Sequence, residues 1–158
     1  MDSRRITKVE EIEHRGLVYL IGPSGSGKST LAKKWANRLG LEHVDLDQMI
    51  EILEGQTIAN LFKNLGEDHF RELEQKYLRS ISSGMVACGG GTPLFHNNMD
   101  WMLNTGTVVW INLSPEMAWS RVSKSADRPL VLLGKENFIE TMKSRENCYS
   151  RANFVFQL

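Results

Sequence analysis

The sequence predicts an α/β fold in which strands alternate with helices and pair into a parallel sheet. Five runs have the composition of strands: LVYLI (17–21), EHVDL (42–46), MVAC (85–88), TVVWINL (107–113) and FVFQL (154–158). Three of these runs are almost wholly apolar, as expected for strands covered by helices on both faces. The segments between them contain apolar residues at helical spacing. This alternation indicates βαβ units.

Two of the predicted helices have clear apolar stripes. The first follows a glycine-rich loop and has an apolar residue at every fourth position: Leu31, Trp35 and Leu39. The second has apolar residues at intervals of three or four: Phe70, Leu73, Tyr77 and Ile81. The segment 123–137, SKSADRPLVLLGKEN, is the least regular part of the chain, because Pro129 and Gly134 interrupt it.

Length and composition exclude several classes of protein. A chain of 158 residues predicts one domain, residues 1–158, and a formal net charge of zero argues against nucleic-acid binding. Cys88 and Cys148 form no CxxC pair, so we expect no zinc site and no disulfide framework. Two free thiols fit a reducing compartment, and we expect a cytoplasmic protein. No apolar run approaches the roughly 20 residues of a membrane span, and the N-terminus lacks the apolar core of a secretory signal.

The stretch GPSGSGKST (22–30) is predicted to bind phosphate. Gly22, Gly27, Lys28 and Ser29 match G-x-x-x-x-G-K-[ST], and a predicted strand and helix flank the stretch as this motif requires. Its glycines let backbone N–H groups turn inward around an anion, while the following helix points its positive end at the same place. Lys28 can reach the β- and γ-phosphates, and Ser29 can ligate Mg²⁺. The spacing differs from G-x-G-x-x-G, which excludes a dinucleotide-binding Rossmann motif.

A phosphate loop alone does not separate kinases from motor ATPases, switch GTPases and transporters. The chain is short for a motor or a regulatory domain, and it lacks the N-K-x-D signature of GTPases. A small-molecule kinase is therefore the leading class.

Two aspartates are candidates for the acceptor side of such a kinase. In HVDLDQ, Asp45 and Asp47 lie two apart at the end of a predicted strand, so we expect both to face the same side. Ligands bind at this carboxyl edge in open α/β sheets. One carboxylate can hold Mg²⁺ through water, and the other can accept the proton of an attacking hydroxyl. A helix-capping aspartate is an equal alternative.

Two further motifs allow two explanations each. In FRELE, Arg71 and Glu74 lie three apart on a helix, and a solvated surface pair is the favoured explanation for them alone. CGGGTP contains the triplet Gly89–Gly91, which permits either a tight turn or the close approach of the backbone to a ligand.

Taken in order, these motifs closely resemble the shikimate kinase family. The series GPSGSGKST, DLD, GQTIANLF, FRELE, GGG, RPL and R-x-x-x-Y in RENCYSRA runs from about Leu17 to Phe156. The resemblance implies a three-layer α/β/α fold of the nucleoside-monophosphate-kinase type, with a five-stranded parallel sheet and a mobile lid over 123–137. It also implies Mg²⁺-dependent transfer of the γ-phosphoryl group of ATP to the 3-hydroxyl of shikimate, by a protein that is commonly monomeric.

The resemblance assigns a role to each matching residue. The implied catalytic residues are Lys28, Asp47, which holds the attacking hydroxyl and acts as base, and the lid arginine Arg128. The implied nucleotide-binding residues are Gly22, Gly25, Ser26, Gly27, Lys28, Ser29, Thr30, Arg121, which stacks on adenine, and Arg128. The implied shikimate-binding residues are Asp47, Gly89, Gly90, Gly91, and Arg71 and Arg145, which grip the carboxylate. The implied metal-binding residues are Ser29 and Asp45.

The sequence departs from the family pattern at several places. Ala87 and Cys88 precede the glycine triplet, where the family usually has hydroxyl residues. Pro23 and Ser24 replace the more usual residues of the phosphate loop, in a version that also resembles gluconate kinases. Residues 1–16 form an extension without a clear family counterpart, and family members generally continue past the last strand, which implies an incomplete adenine pocket. A kinase for another hydroxy acid, such as gluconate, and a kinase-dead nucleotide-binding module remain alternatives.

Overall fold

The structure is a computed structural model that describes residues 3–124 and 130–158. In these residues a six-stranded sheet is formed by β1 (Arg5–Ile6), β2 (Leu17–Ile21), β3 (His43–Asp45), β4 (Gly84–Ala87), β5 (Thr107–Asn112) and β6 (Phe154–Gln157). The order across the sheet is β1-β6-β5-β2-β4-β3, and each neighbouring pair is parallel. Each of the five predicted runs overlaps one of the strands β2 to β6, so the predicted parallel α/β sheet is confirmed.

The sheet has one strand more than the five predicted. β1 pairs with β6 in the register Arg5↔Val155 and Ile6↔Phe156. Two residues are too short a run to show the alternation that identifies a strand in a sequence. The N-terminal segment therefore adds an edge strand to the sheet rather than preceding it, and three of its side chains are buried: Ile6, Val9 and Ile12.

The helices in the described residues are α1 (Lys28–Leu39), α2 (Leu46–Glu54), α3 (Ile58–Ser80), α4 (Asn98–Thr105), α5 (Pro115–Val122) and α6 (Lys135–Tyr149). Short 3₁₀ turns lie at Val9–Glu11, Thr92–Leu94 and Val131–Leu133. α1 and α3 contain the two predicted apolar stripes, apart from Ile81, which directly follows α3. Across the described parts of the chain, no helix is both long and apolar enough to cross a membrane.

Helices cover both faces of the sheet. Tyr19 and Ile21 of β2 lie in one buried cluster, together with side chains of α2, α3 and α4. Val18 and Leu20 of the same strand lie in a second cluster, together with Trp35 of α1. This alternation along β2 is that of a strand buried on both faces, and it gives the three-layer α/β/α arrangement. β2 lies inside the sheet, so the loop that follows it begins in the middle of the sheet's carboxyl edge.

The predicted lid segment, 123–137, is described only in part. α5 ends at Val122, and the chain beyond residue 130 forms the 3₁₀ turn Val131–Leu133, in which no residue is buried. The apolar residues of this turn therefore do not form a core strand. Arg128, the implied lid arginine, lies outside the described residues, so its role stays a prediction.

Candidate active site

The phosphate loop connects β2 to α1 at the carboxyl edge of the sheet. Gly22, Gly25 and Gly27 have φ angles of 143°, 82° and 82°. Gly22 also needs the space that glycine leaves, because a Cβ there would collide with the carbonyl oxygen of Ile111. Glycines with positive φ let backbone N–H groups turn inward around an anion, and α1 begins directly after the loop with the positive end of its dipole there. The loop therefore has the features of an anion-binding nest.

Lys28 is buried, and its ammonium group lies inside this loop. Nζ donates to the carbonyl oxygens of Gly22 and Pro23, both at 2.8 Å, and to Ser26 Oγ at 3.4 Å. These partners hold the positive charge at the centre of the loop. The carbonyl contacts are weaker attractions than phosphate oxygens would supply, since a hydrogen bond between two charged groups is stronger.

Ser29 and Asp45 form a pair of oxygen atoms beside the loop. The Ser29 hydroxyl donates to Asp45 Oδ2 at 2.6 Å, while Asp45 Oδ1 accepts from the backbone N–H of Gln48 at 3.1 Å. Asp45 thus caps α2 and also faces the phosphate loop. The two oxygens fit Mg²⁺, which proteins commonly bind through one or two side chains together with substrate phosphates and water. Among the described residues, no cluster of three or more His, Cys, Asp or Glu side chains offers a metal site.

Asp47 lies in a helix, not in the strand in which it was predicted. β3 ends at Asp45 and α2 begins at Leu46, so Asp47 belongs to the first turn of α2. The cause is the cap itself, because the Asp45 side chain starts the helix directly after the strand. Alternation along a strand therefore does not bring the two carboxylates together. Both nevertheless line one cleft of about 680 Å³, together with Lys28.

The glycine triplet, 89–91, gives room to three of the predicted acceptor-binding side chains. A Cβ on the first glycine would stand 3.1 Å from Asp47 Oδ1, and one on the second would stand 3.1 Å from Arg145 Nη1. A Cβ on the third would stand only 2.6 Å from Arg71 Nη2. A carboxylate and two guanidinium groups therefore converge on one backbone surface that has no side chains of its own. Of the two explanations that the sequence allowed, this arrangement favours a ligand site.

Arg71 and Glu74 form a buried ion pair. Arg71 Nη1 donates to Glu74 Oε1 at 2.9 Å, and the Thr92 hydroxyl donates to the other Glu74 oxygen at 2.7 Å. The side chains of Arg71 and Glu74 are only 10% and 1% exposed, so the prediction of a solvated surface pair is wrong. Nε and Nη2 of Arg71 also reach Glu67, at 3.4 Å each. Because a guanidinium has five N–H donors, these three contacts leave two donors that can bind a further group.

α6 brings Arg145 and Tyr149 to the glycine triplet. The two residues lie four apart and so face the same side of the helix. The Tyr149 hydroxyl donates to the carbonyl oxygen of Gly90 at 2.6 Å. Burial raises the pKa of Tyr149 to about 12, although the charge of Arg145 acts in the opposite direction. Tyr149 therefore stays a neutral donor at physiological pH and fixes α6 to the triplet.

Three residues of this network had no role assigned from the sequence. Glu74 had a signal, the i,i+3 spacing from Arg71, but its burial was not predictable from that spacing. Tyr149 had a weaker signal in the R-x-x-x-Y motif. Thr92 had none, because its contact with Glu74 joins parts of the chain 18 residues apart.

One end of the cleft is lined by the phosphate loop and α5. Arg121 Nη1 donates to the Gly25 carbonyl at 3.3 Å, and both residues line the cleft with Thr30. This position is compatible with the predicted stacking of Arg121 on adenine, which stays a prediction.

Cys88 stands where the family usually has a hydroxyl residue. Its thiol is buried and lies 3.8 Å from Met102 Sδ. Burial raises the pKa of Cys88 far above its ordinary range, so the thiol stays protonated and a poor nucleophile at neutral pH.

A phosphate loop on an inner strand of a parallel sheet, with helices on both faces, is the architecture of nucleoside-monophosphate-kinase-like P-loop kinases. The deoxyadenosine kinase of M. mycoides shares the fold with a TM-score of 0.52 and 17% identity, covering 91% of this chain and 90% of that one. That likeness concerns the fold alone.

Closer similarities narrow the class to one family. A family model for shikimate kinase matches residues 24–157. The shikimate kinase of Sulfurihydrogenibium sp. (strain YO3AOP1) is 39% identical over 139 residues, which are 86% of this chain and 84% of the relative. The chain belongs to the shikimate kinase family, which consists of ATP- and Mg²⁺-dependent kinases.

Two solved structures agree with this assignment. The shikimate kinase of Bacteroides thetaiotaomicron superposes with a TM-score of 0.82 at 30% identity, covering 92% of this chain and 87% of that one. The shikimate kinase of Acinetobacter baumannii, solved in complex with shikimate, superposes with a TM-score of 0.84 at 28% identity, covering 96% and 87%.

Proposed function

We propose that the protein transfers the γ-phosphoryl group of ATP to the 3-hydroxyl of shikimate, forming shikimate 3-phosphate and ADP. The observation that carries this proposal is the convergence of Asp47, Arg71 and Arg145 on the glycine triplet, beside the phosphate loop. Shikimate carries one carboxylate and several hydroxyl groups. Two guanidinium groups match the carboxylate, and the Asp47 carboxylate matches the attacking hydroxyl.

Each charged residue of the cleft has a role in this reaction. Arg71 and Arg145 hold the acceptor carboxylate, and Asp47 orients the hydroxyl and takes its proton. The acceptor oxygen forms a bond to the γ-phosphorus while the bond from that phosphorus to the bridging oxygen of ADP breaks. Lys28 neutralises charge on the transferring phosphate, since phosphoryl transfer depends mainly on positioning and electrostatic stabilisation. Ser29 and Asp45 are the residues that would hold Mg²⁺, which supplies further charge neutralisation.

The remaining predicted residues belong to the nucleotide. Backbone N–H groups of the phosphate loop cradle the phosphates, with contributions from Gly22, Gly25, Ser26, Gly27 and Thr30. Arg121 stacks on the adenine. Arg128 closes over the transferring phosphate from the lid, 123–137, and excludes water that would otherwise hydrolyse ATP.

The proposal is tested by measuring ADP release with shikimate, with gluconate and without acceptor. We expect turnover that depends on shikimate and on Mg²⁺, with a slow rate in the absence of acceptor. ³¹P NMR of the product checks which hydroxyl is phosphorylated. Turnover of gluconate but not of shikimate would assign the protein to another acceptor. ATP binding without turnover of either acid would indicate a kinase-dead module.

We further propose that the protein acts as a single-domain monomer in the cytoplasm. Two observations support a reducing compartment: Cys88 and Cys148 are both unpaired, and Cys88 is buried. Light scattering during gel filtration is expected to give the mass of one chain, 18.0 kDa. A mass of two chains or more would contradict the monomer.

A further inference from the structure

Phe95 follows the 3₁₀ turn Thr92–Leu94, close behind the glycine triplet, and its ring contacts Arg71. The Arg71 Cζ atom lies over the Phe95 ring, 4.2 Å from its centroid, and 5.2 Å from the centroid of the Phe70 ring. A guanidinium within about 6 Å of an aromatic centroid is attracted by the negative face of the ring. Phe95 is half-buried, which shields this attraction from water. Phe95 is the nearer of the two rings.

The other polar contacts of Arg71 differ in strength. Glu74 holds one nitrogen, Nη1, at 2.9 Å, whereas Glu67 is 3.4 Å away and 53% exposed. An exposed ion pair of that length contributes little to orientation. A planar guanidinium binds a carboxylate through two parallel N–H bonds only when its plane is correctly set. A contact on the face of the guanidinium adds a restraint on this plane.

A ring is well suited to this task because of the donors it leaves untouched. The Arg71 Cζ atom lies over the face of the ring, and a guanidinium that stacks on a ring keeps its in-plane N–H groups free. A third carboxylate would instead use more of the five donors and would compensate the positive charge that attracts the acceptor. Phe95 thus restrains Arg71 while the charge and the two remaining donors stay available.

We propose that Phe95 is a positioning residue for acceptor binding, which acts by holding the guanidinium plane of Arg71. This inference rests on the proposed function, because it takes the acceptor to be a carboxylic acid bound by Arg71. Phe95 itself makes no contact with the acceptor in this proposal. Its effect falls on the affinity for shikimate and not on the affinity for ATP.

The test compares Phe95→Leu, which keeps an apolar side chain and removes the ring, with Phe95→Tyr, which keeps the ring. We expect Phe95→Leu to raise the Kd of shikimate, measured by calorimetry, and its KM by about 5–30-fold, the loss that corresponds to one partly desolvated contact of this kind. The KM of ATP should change less than about twofold, because a guanidinium–ring contact of this strength acts on the acceptor side alone. Phe95→Tyr should keep the wild-type affinity for shikimate.

A matched control is Phe156→Leu, which makes the same change on the opposite face of the sheet. Phe156 packs edge-on against Trp35 with centroids 5.0 Å apart. This variant should lower Tm and leave both KM values unchanged. If Phe95→Leu is unfolded at the assay temperature, Phe95→Met gives the same comparison with a more flexible side chain.

Three results would overturn the proposal: wild-type shikimate affinity in Phe95→Leu, a Phe95→Tyr variant as weak as Phe95→Leu, or equal increases in the KM of shikimate and of ATP. Failure of the proposed function is separately visible in the wild-type protein, as an absence of shikimate binding and turnover.

Discussion

Asp45 and Asp47 lie two residues apart, but they are held in different ways. Both oxygens of Asp45 accept hydrogen bonds, one from the Ser29 hydroxyl and one from the backbone N–H of Gln48. Asp47 lies in the first turn of α2, two residues after the cap, and adjoins the first glycine of the triplet. We therefore predict that Asp45 acts on the nucleotide side and Asp47 on the acceptor side. Substitution of each should affect a different half of the reaction.

We predict that Asp47→Asn lowers kcat by at least about 100-fold, the usual contribution of a positioned general base, and changes the KM of ATP less than about threefold. Steady-state kinetics with both substrates varied gives the two numbers. Asp45→Asn is the companion variant, and its main effect should be a higher Mg²⁺ requirement. A loss of ATP affinity in Asp47→Asn that matches the loss of turnover would contradict the acceptor-side assignment.

Substitution of Gly91 tests the backbone surface on which Asp47, Arg71 and Arg145 converge. Its φ of −92° suits any residue, so Gly91→Ala changes the available space without straining the backbone. The new Cβ would stand 2.6 Å from Arg71 Nη2 and must displace the guanidinium. We expect the KM of shikimate to rise about 10-fold or more, as for the loss of a hydrogen bond to a charged group. In Gly89→Ala the new Cβ would stand 3.1 Å from Asp47 Oδ1, so this variant should lower mainly kcat.

At the scale of elements, α6 couples Arg145 to the glycine triplet through the Tyr149 hydroxyl. Tyr149→Phe leaves the Gly90 carbonyl without this donor, and we expect a loss of about 1–3 kcal/mol in the free energy of unfolding at pH 7. The KM of shikimate should rise too, because the helix that holds Arg145 is less firmly docked. Urea unfolding and kinetics measure the two effects.

The loss of stability caused by Tyr149→Phe is predicted to depend on pH. The pKa of Tyr149 is raised to about 12 by burial, above the value of about 10 in an unfolded chain. This shift stabilises the folded protein fully below about pH 10, and the stabilisation is lost as the pH rises towards 12. The stability difference between wild type and Tyr149→Phe should therefore narrow over this range. Tyr19 and Tyr77, whose pKa values are also raised, are present in both proteins and cancel in the comparison.

The element boundaries show what local sequence patterns determine. The strand before the phosphate loop and the helix after it were predictable, because an apolar run and a four-residue stripe are local signals. The end of β3 was not, because the Asp45 side chain decides between strand and helix at that point. β1 was not predictable either, since two residues acquire strand geometry only by pairing with β6, about 150 positions away.

For the whole molecule, the predicted site residues were recognisable as sequence motifs, whereas the fold determined how the described ones meet. The phosphate loop, the aspartates, the arginines and the glycine triplet were all visible as motifs. Their mutual packing depends on contacts such as Arg71 to Gly91 and Tyr149 to Gly90, which join segments far apart in the chain. The burial of the Arg71–Glu74 pair has the same origin. The spacing along α3 predicts that Arg71 and Glu74 lie side by side. Their burial depends on the packing of the sheet and its loops around them.

The N-terminal segment is the part of the molecule that the family pattern explains least. Ile6 is 4% exposed and belongs to the cluster that includes Trp35 and Phe156, on the face of the sheet covered by α1. The Arg4 guanidinium also donates to the carbonyl oxygens of Ser150 and Ala152, just beyond α6. The segment thus closes the β6 edge of the sheet. These contacts contribute to the stability of the fold, and none of the residues named here lines the cleft.

We therefore predict that Ile6→Ala destabilises the protein without changing its catalysis. Truncating a buried isoleucine typically costs about 2–5 kcal/mol, because a cavity is left and apolar contacts are lost. For a chain of this length, that loss corresponds to a fall in Tm of about 5–15 °C.

The exposed neighbour Arg5 gives a matched control, because Arg5→Ala should change the free energy of unfolding by less than about 0.5 kcal/mol. Assayed at 20 °C, well below either Tm, Ile6→Ala should keep the wild-type kcat and both KM values. An unchanged Tm would show that β1 does not belong to the folded sheet, and a selective loss of shikimate affinity would show that this edge supports α6 and Arg145 directly.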